Sequence, residues 1–193
     1  MDLSTKYMGL NLRNPVIVGS SGLTANPARI MQLEKAGAGA VVLKSLFEEQ
    51  ILVDRGKLVS QDEMYFWYPE AVEFISDSLK DSGIDAYLQM IASVKKSVSI
   101  PVIASINCVT DKEWPSFAGE IEKAGADALE LNIAIFPFNK DLTSKEIEDR
   151  YVSILRAVKK EISIPVAVKL GPYFTNLFHI TRELQSAGAG AIV

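Results

Sequence analysis

A stretch of twelve residues occurs twice in this chain. Residues 94–105 read VKKSVSIPVIAS and residues 158–169 read VKKEISIPVAVK, an offset of 64 from Val94 to Val158. A second motif keeps nearly the same beat. AGADAL at 124–129 returns as AGAGAI at 187–192, 63 positions on, and a third copy, AGAGAV, sits at 36–41. Such a repeat dictates a fold assembled from copies of one supersecondary unit. Each motif has a physical reading. AGA(G/D)A is a helix end, a glycine free to adopt the left-handed cap, and the start of a strand. Ser-Ile-Pro-Val is a helix exit into a strand. Pro101 and Pro165 fall at its first strand position, where a missing N–H does no harm.

The strands read from this pattern are short and apolar, at 16–18, 40–43, 102–104, 128–131, 166–168 and 191–193. Amphipathic helical stretches lie between them at 27–37, 84–97, 112–124, 144–160 and 175–187. Continuous apolar strands alternating with helices predict a parallel sheet covered on both faces. The fold class is therefore α/β, and the 64-residue repeat is two βα units of a (β/α)8 TIM barrel. Six strands of eight make an incomplete barrel of about five and a half βα units, since whole barrels take about 250 residues and this chain has 193. The expectation is one truncated domain over 1–193. Residues 4–14 read as a hairpin, so 1–14 precede the barrel as an N-terminal β-hairpin segment. Residues 46–82 form a long loop after the second strand, with an aromatic run at 65–68 and a short helix near 70–80. Loops of this length usually carry function.

Composition excludes several classes. An apolar fraction of 48% with 23% charged residues is ordinary for a soluble globular chain. No apolar run reaches the ~18 residues that span a bilayer, and the first residues lack a signal-peptide layout, so a cytoplasmic protein without membrane attachment is expected. The single cysteine, Cys108, excludes an internal disulfide and a multi-Cys zinc site. The lone histidine, His179, argues against multi-His metal sites and His-based triads, so no metal is expected. A net charge of −4 without a basic cluster argues against a nucleic-acid partner. A small-molecule substrate remains.

Barrel active sites lie at the C-terminal strand ends. Here the first strand runs into Gly19-Ser20-Ser21-Gly22, the second into Lys44-Ser45, and the third into Ser105-Ile106-Asn107. The fourth ends in Glu130-Leu131-Asn132 and the fifth in Lys169. Strand alternation puts Val42 with Lys44, Ser105 with Asn107, Glu130 with Asn132, and Ala167 with Lys169. If those faces point inward, two lysines, two asparagines and a glutamate converge on the mouth. Solvated loop starts would need no such shared parity.

At these residues the chain resembles the dihydroorotate dehydrogenase family. The likeness runs through the opening MDLSTKYMGLNLRNP, Gly19-Ser20-Ser21-Gly22, AGAGAVVLKS at 36–45, Glu130-Leu131-Asn132 and PVAVK at 165–169. It implies a flavin (FMN) oxidoreductase on a (β/α)8 barrel, acting on CH–CH groups of a pyrimidine-type substrate in pyrimidine biosynthesis. It implies that Gly19 and Ser20 lie against the flavin ring. Lys44 would contact flavin and substrate, as the catalytic lysine, with Ser45 beside it. Asn107 and Asn132 would contact the flavin, Asn132 also the substrate, and Lys169 would donate to the flavin N1/O2 edge. A fixed ammonium there stabilises the charge that reduced flavin gathers. The family's Asn-x-Ser-(Cys or Ser)-Pro-Asn segment, whose Cys or Ser is the base, is replaced by Asn132-Ile-Ala-Ile-Phe-Pro-Phe138, which holds no proton acceptor. The expected substrate pocket is apolar and aromatic, and the substrate differs accordingly.

Other residues admit plainer readings. Cys108 could replace the lost base, but a small buried apolar role suits it better. His179 reads as structural. The aromatics at 65–68 fit a substrate lid, a partner surface or core under a long loop. Residues 141–149 read as a helix start capped by Thr143 or Ser144. Two other functions compete with the flavin enzyme. One is a Schiff-base barrel enzyme of the aldolase kind, using Lys169 or Lys44. The other is a non-catalytic barrel piece, whose open sheet edge would pair with a second copy. A homo-oligomer, a dimer, is expected.

Overall fold

The three glycine motifs end three helices in the left-handed conformation their sequence permits. Gly37, Gly125 and Gly188 have φ of +105°, +99° and +100°, and each is followed within a few residues by a strand. In the computed structural model, which describes residues 1–47, 83–108, 114–135 and 141–193, strands β1 (Thr5–Tyr7) and β2 (Leu10–Leu12) form the antiparallel hairpin. Its two-residue turn has Met8 and Gly9 at φ 51° and 83°, the sign that type I′ hairpin turns require. There follow β3 (Ile17–Val18), α1 (Pro27–Lys35), β4 (Ala40–Val42), β5 (Leu46–Phe47), α2 (Ile84–Ser97), β6 (Val102–Cys108) and α3 (Trp114–Lys123). The chain continues through β7 (Ala128–Ile133), α4 (Ser144–Glu161), β8 (Val166–Lys169), α5 (Leu177–Ser186) and β9 (Ala191–Ile192). The aromatic run 65–68, the expected helix near 70–80 and residues 136–138 lie outside the described residues.

The sheet order is β3-β4-β6-β7-β8-β9, every pair parallel, with β5 alongside β6. It curls into a half-barrel, the incomplete TIM barrel the repeat predicts. The sequence-read boundaries differ from the structure in one telling place. Residues 46 and 47, assigned to the long loop, are strand β5. Helix α4 is capped by Thr143, whose side chain accepts from the Glu146 N–H while Glu146 reaches back, a capping box.

Strand parity divides the core. Val41, Val102, Ala104, Leu129, Leu131, Val166 and Val168 face the helices, packing with Ile30, Ile91, Phe117, Leu155 and Leu184. Burying each such aliphatic side chain contributes about 1.5–3 kcal/mol. The opposite face carries Val42, Ile103 and Ala128, which pack against Tyr7, Met8, Leu10 and Ile17. The hairpin therefore plugs the N-terminal end of the half-barrel and leaves the C-terminal end to the polar residues.

The serine of the Ser-Ile-Pro motif has a role that sequence reading missed. Glu34 Oε1, near the end of α1, accepts from Ser99 N (2.7 Å), Ser99 Oγ (2.7 Å) and Ile100 N (3.2 Å). Glu122 Oε1, at the end of α3, accepts from Ser163 N, Ser163 Oγ and Ile164 N in the same way. Each helix end thus staples the entrance of a strand one unit beyond the one it leads into, α1 that of β6 and α3 that of β8. Those bonds hold both carboxyls below the ordinary glutamate value, the serine hydroxyl being the largest cause in each.

Candidate active site at the strand ends

The register stacks the inner face in layers. Ser105 pairs with Glu130 and Glu130 with Ala167, and one layer higher Asn107 pairs with Asn132 and Asn132 with Lys169. Ser105 is fully buried, and Asn107 and Glu130 are nearly so. A buried carboxylate demands partners. Glu130 Oε1 accepts from Ser105 Oγ at 3.1 Å and lies 3.8 Å from Lys169 Nζ. Lys169 keeps 40% of its side chain exposed at the mouth, against 6% for Glu130.

The second strand reaches the site by a detour. Val42 pairs with Ile103, yet Leu46 pairs with Ile106. Four steps on one strand thus span three on its neighbour, which is a β-bulge at 43–45, a device common beside active sites. The bulge breaks the alternation that paired Lys44 with Val42 and carries Ser45 to the inner face, where Ser45 Oγ lies 2.8 Å from Ser105 Oγ. Lys44 is half-buried in the bulge, its N–H donating to Thr24 O at 3.2 Å. Ser20, at the end of β3, accepts from Ser45 N at 2.9 Å and places its Oγ 3.1 Å from Ser45 Oγ. Sequence parity therefore brought the right neighbourhood together through Lys44, but Ser45 makes the described link to the neighbouring strand.

Leu43 N donates to Ile103 O at 2.8 Å, so the odd-numbered residues of β6 turn their backbone groups toward β4. Ser105 is the next of these. Its N–H donates to Tyr87 Oη at 2.9 Å and its carbonyl accepts from Tyr87 Oη at 3.0 Å. Helix α2 thus ties one hydroxyl to both backbone groups of Ser105. Burial raises the Tyr87 phenol far above its ordinary value, keeping it protonated for that double task. Tyr87 carried no sequence signal beyond its place on an amphipathic helix.

The remaining expected residues fall as follows. Asn107 Oδ1 is buried and has no hydrogen-bond partner among the described residues. Asn132 is half-buried beside it on β7. Gly19 is exposed, and a Cβ built there meets no atom within 4 Å, so the end of β3 is open to a flat ligand. Cys108 closes β6 opposite Ile133; the role expected of its side chain lies outside the described residues. Ile133 and Ile135 are buried in the helix-facing core. His179 sits on α5, with Nε2 3.9 Å from Glu148 Oε2 and 58% of its side chain exposed, remote from the strand-end residues in every described contact. Among the described residues no helix is long and apolar enough to cross a membrane.

The sequence profile of the dihydroorotate dehydrogenase family matches residues 2–192. The dihydroorotate dehydrogenase B (NAD(+)) catalytic subunit of Thermoplasma volcanium is 28% identical over 100% of this chain and 62% of its own length. That of Methanocella arvoryzae is 31% identical over 100% of the chain and 61% of its own length. A putative dihydroorotate dehydrogenase A (fumarate) of Aeropyrum pernix is 31% identical, covering 97% of the chain and 59% of itself. The chain thus spans about three fifths of the relatives it matches. Among solved structures, an IMP dehydrogenase/GMP reductase-like protein of Corynebacterium glutamicum superposes with a TM-score of 0.56 at 18% identity, over 99% of this chain and 47% of that one. A phosphonopyruvate hydrolase gives 0.57 at 18%, over 93% and 57%. These two establish the barrel fold alone. With a profile match from residue 2 to residue 192 and relatives aligned along all or nearly all of it, the chain belongs to the dihydroorotate dehydrogenase family.

Proposed function

We propose that this chain carries the flavin-ring side of an FMN-dependent oxidoreductase that moves hydride between the flavin and a CH–CH or C=C bond of a small, pyrimidine-type molecule. The observation that carries this reading is Asn107 Oδ1, a buried acceptor without a partner among the described residues. It stands one layer above a buried Glu130 and beside Asn132 and Lys169. An unsatisfied buried acceptor costs about 1–3 kcal/mol, and a ligand N–H would remove that cost. An isoalloxazine ring offers both a flat face and an edge rich in N and O. The open end at Gly19, the hydroxyls of Ser20 and Ser45, the amides of Asn107 and Asn132, and the ammonium of Lys169 suit such a group, with Lys44 at the bulge as the substrate-side contact.

Bound FMN supplies a two-electron hydride acceptor. The chain's own part is positional and electrostatic. Lys169, held toward Glu130 across the mouth, favours negative charge gathering next to it. Asn107 and Asn132 fix the plane and edge of the ring, and the half-buried setting keeps water out of the lower layers. Family membership leaves the Schiff-base use of Lys169 or Lys44 without a supporting observation.

The test is titration of the chain with FMN, read by quenching of flavin fluorescence. Saturable uptake is expected, weakened about tenfold or more by Lys169→Ala, the loss of one charge-assisted bond. Anaerobic bleaching of the bound flavin by L-dihydroorotate, as the probe of CH–CH chemistry, reports the reaction. A chain that takes up no flavin refutes the reading.

A further inference from the structure

Three serine hydroxyls join the mouth of the half-barrel to its buried carboxylate. Ser20 Oγ lies 3.1 Å from Ser45 Oγ, Ser45 Oγ 2.8 Å from Ser105 Oγ, and Ser105 Oγ donates to Glu130 Oε1 at 3.1 Å. The polarity of this chain follows from counting protons. An ionised carboxylate only accepts, and a hydroxyl has a single proton to give. Ser105 spends its proton on Glu130, so the bond between Ser45 and Ser105 uses the proton of Ser45. The bond between Ser20 and Ser45 then uses the proton of Ser20. All three protons point inward. Ser20 Oγ accepts from Ser45 N at 2.9 Å, which leaves its second lone pair without a partner among the described residues.

We propose that Ser20, Ser45 and Ser105 form a proton conduit polarised toward Glu130, which stores the proton that the site must remove. This rests on the flavin reading above and deepens it. Residues 133–135 are Ile, Ala and Ile, two of them turned into the helix-facing core, so the segment after Asn132 offers no base among the described residues. The conduit supplies one. With flavin bound as the two-electron acceptor, hydride would leave one substrate carbon while the acidic C–H bond on the neighbouring carbon breaks and leaves its electron pair in the new C=C bond. Its proton passes to Ser20 Oγ, the Ser20 proton to Ser45, the Ser45 proton to Ser105, and the Ser105 proton to Glu130 Oε1. Substrate loses a hydride and a proton, flavin gains two electrons, and Glu130 ends as a neutral acid. Among the described residues, Ser105 on β6 and the Lys169 ammonium on β8 meet Glu130 directly, and the phenols of Tyr7 on β1 and Tyr87 on α2 lie within range of its charge. Lys169 Nζ lies 3.8 Å from Glu130 Oε1, and release of the proton restores that ion pair.

Infrared pH-difference spectra of the full chain without cofactor read the store directly. A protonated-carboxyl band is expected on acidification that is absent in Glu130→Gln. Ser105→Ala removes the donor and raises the band's midpoint by about one pH unit, and Ser105→Thr restores it. Ser45→Ala and Ser20→Ala, at half-buried positions that tolerate truncation, shift it the same way by less, because each hydroxyl polarises the next. A packing role for these serines predicts no shift from Ser20→Ala. A band that survives Glu130→Gln, or a midpoint unmoved by both Ser45→Ala and Ser20→Ala, overturns the conduit. In FMN-loaded protein mixed with L-dihydroorotate, Ser105→Ala is expected to slow bleaching about 100-fold without changing flavin uptake. If the chain takes up no flavin, the flavin reading fails, while the infrared midpoints still decide the conduit.

Discussion

Replacing Tyr87 by Phe removes one oxygen and the hydrogen bonds it makes to two buried backbone groups. The hydroxyl accepts from Ser105 N at 2.9 Å and donates to Ser105 O at 3.0 Å, and both atoms belong to a residue with no exposed surface. Each unpaired buried group costs about 1–3 kcal/mol, and the variant regains the small desolvation cost of the phenol oxygen. The net expected loss is about 2–4 kcal/mol, or roughly 4–15 °C in Tm for a chain of this size. Urea unfolding followed by circular dichroism measures it, and an unchanged m value certifies that the loss is one of stability. Tyr151→Phe is the internal comparison. That hydroxyl accepts from Ile135 N at 3.5 Å, at the limit of a useful bond, so its removal should cost under about 1 kcal/mol. The two phenylalanine variants leave the same ring behind and differ only in what the lost oxygen was holding. If Tyr87→Phe costs no more than Tyr151→Phe, the tyrosine does not hold the backbone of Ser105 and this account of it is wrong.

The same hydroxyl sets an alkaline limit. Burial raises the Tyr87 phenol above its unfolded value of 10.0. Its contribution is therefore complete below about pH 10 and is lost as pH rises beyond it, because the unfolded chain releases the proton first. Tyr7 and Tyr151 are also raised, each chiefly by burial. Tyr87→Phe should shrink the alkaline fall in stability without abolishing it.

Gly39 and Gly190 occupy the same place in two copies of the glycine motif but differ in their neighbours. A Cβ at Gly39 would stand 2.3 Å from Asn14 O, whereas at Gly190 the nearest atom is Val166 O at 3.4 Å. Gly39→Ala should cost about 2 kcal/mol or more through overpacking, and Gly190→Ala should lie within about 0.5 kcal/mol of the parent, both read by urea unfolding. Glu34 and Glu122 have lowered carboxyl values, so their contribution is present above about pH 4.5 and falls as pH drops through their folded values. Glu34→Gln with Glu122→Gln should therefore lower stability at neutral pH and flatten the acid limb of a stability-against-pH curve, and parallel acid limbs would refute the staple. Met8 holds φ 51° so that its side chain can join the plug beneath Val42 and Ile103. Met8→Gly relieves about 1 kcal/mol of left-handed strain but should still destabilise, since the half-buried side chain packed on Val42 and Ile103 is worth more.

How far the sequence disclosed this site depends on the kind of information each residue carries. The repeat made the parallel sheet legible, because the glycine cap and the Ser-Ile-Pro exit are local requirements written once per unit. Parity then placed Ser105, Asn107, Glu130, Asn132 and Lys169 on one face, and the observed register keeps them there. Parity assumes an unbroken strand, and that assumption fails at 43–45. No residue type there announces a bulge, for Leu43, Lys44 and Ser45 suit a regular strand equally well. The signal lies on other elements. A buried tyrosine eighteen positions before Ser105 cannot be matched to the backbone it holds until the fold brings α2 against β6. The same holds for Glu34 and Ser99, 65 residues apart, whose pairing is repeated by Glu122 and Ser163, 41 apart. Those two separations differ because the first spans the long insertion, so the fixed beat that revealed the units concealed the staple between them. Local rules expose what each unit must be, while the chemistry at the mouth comes from where units meet. The hydroxyl chain is the clearest case, since Ser20, Ser45 and Ser105 come from three successive strands and only the bulge aligns the second with the other two.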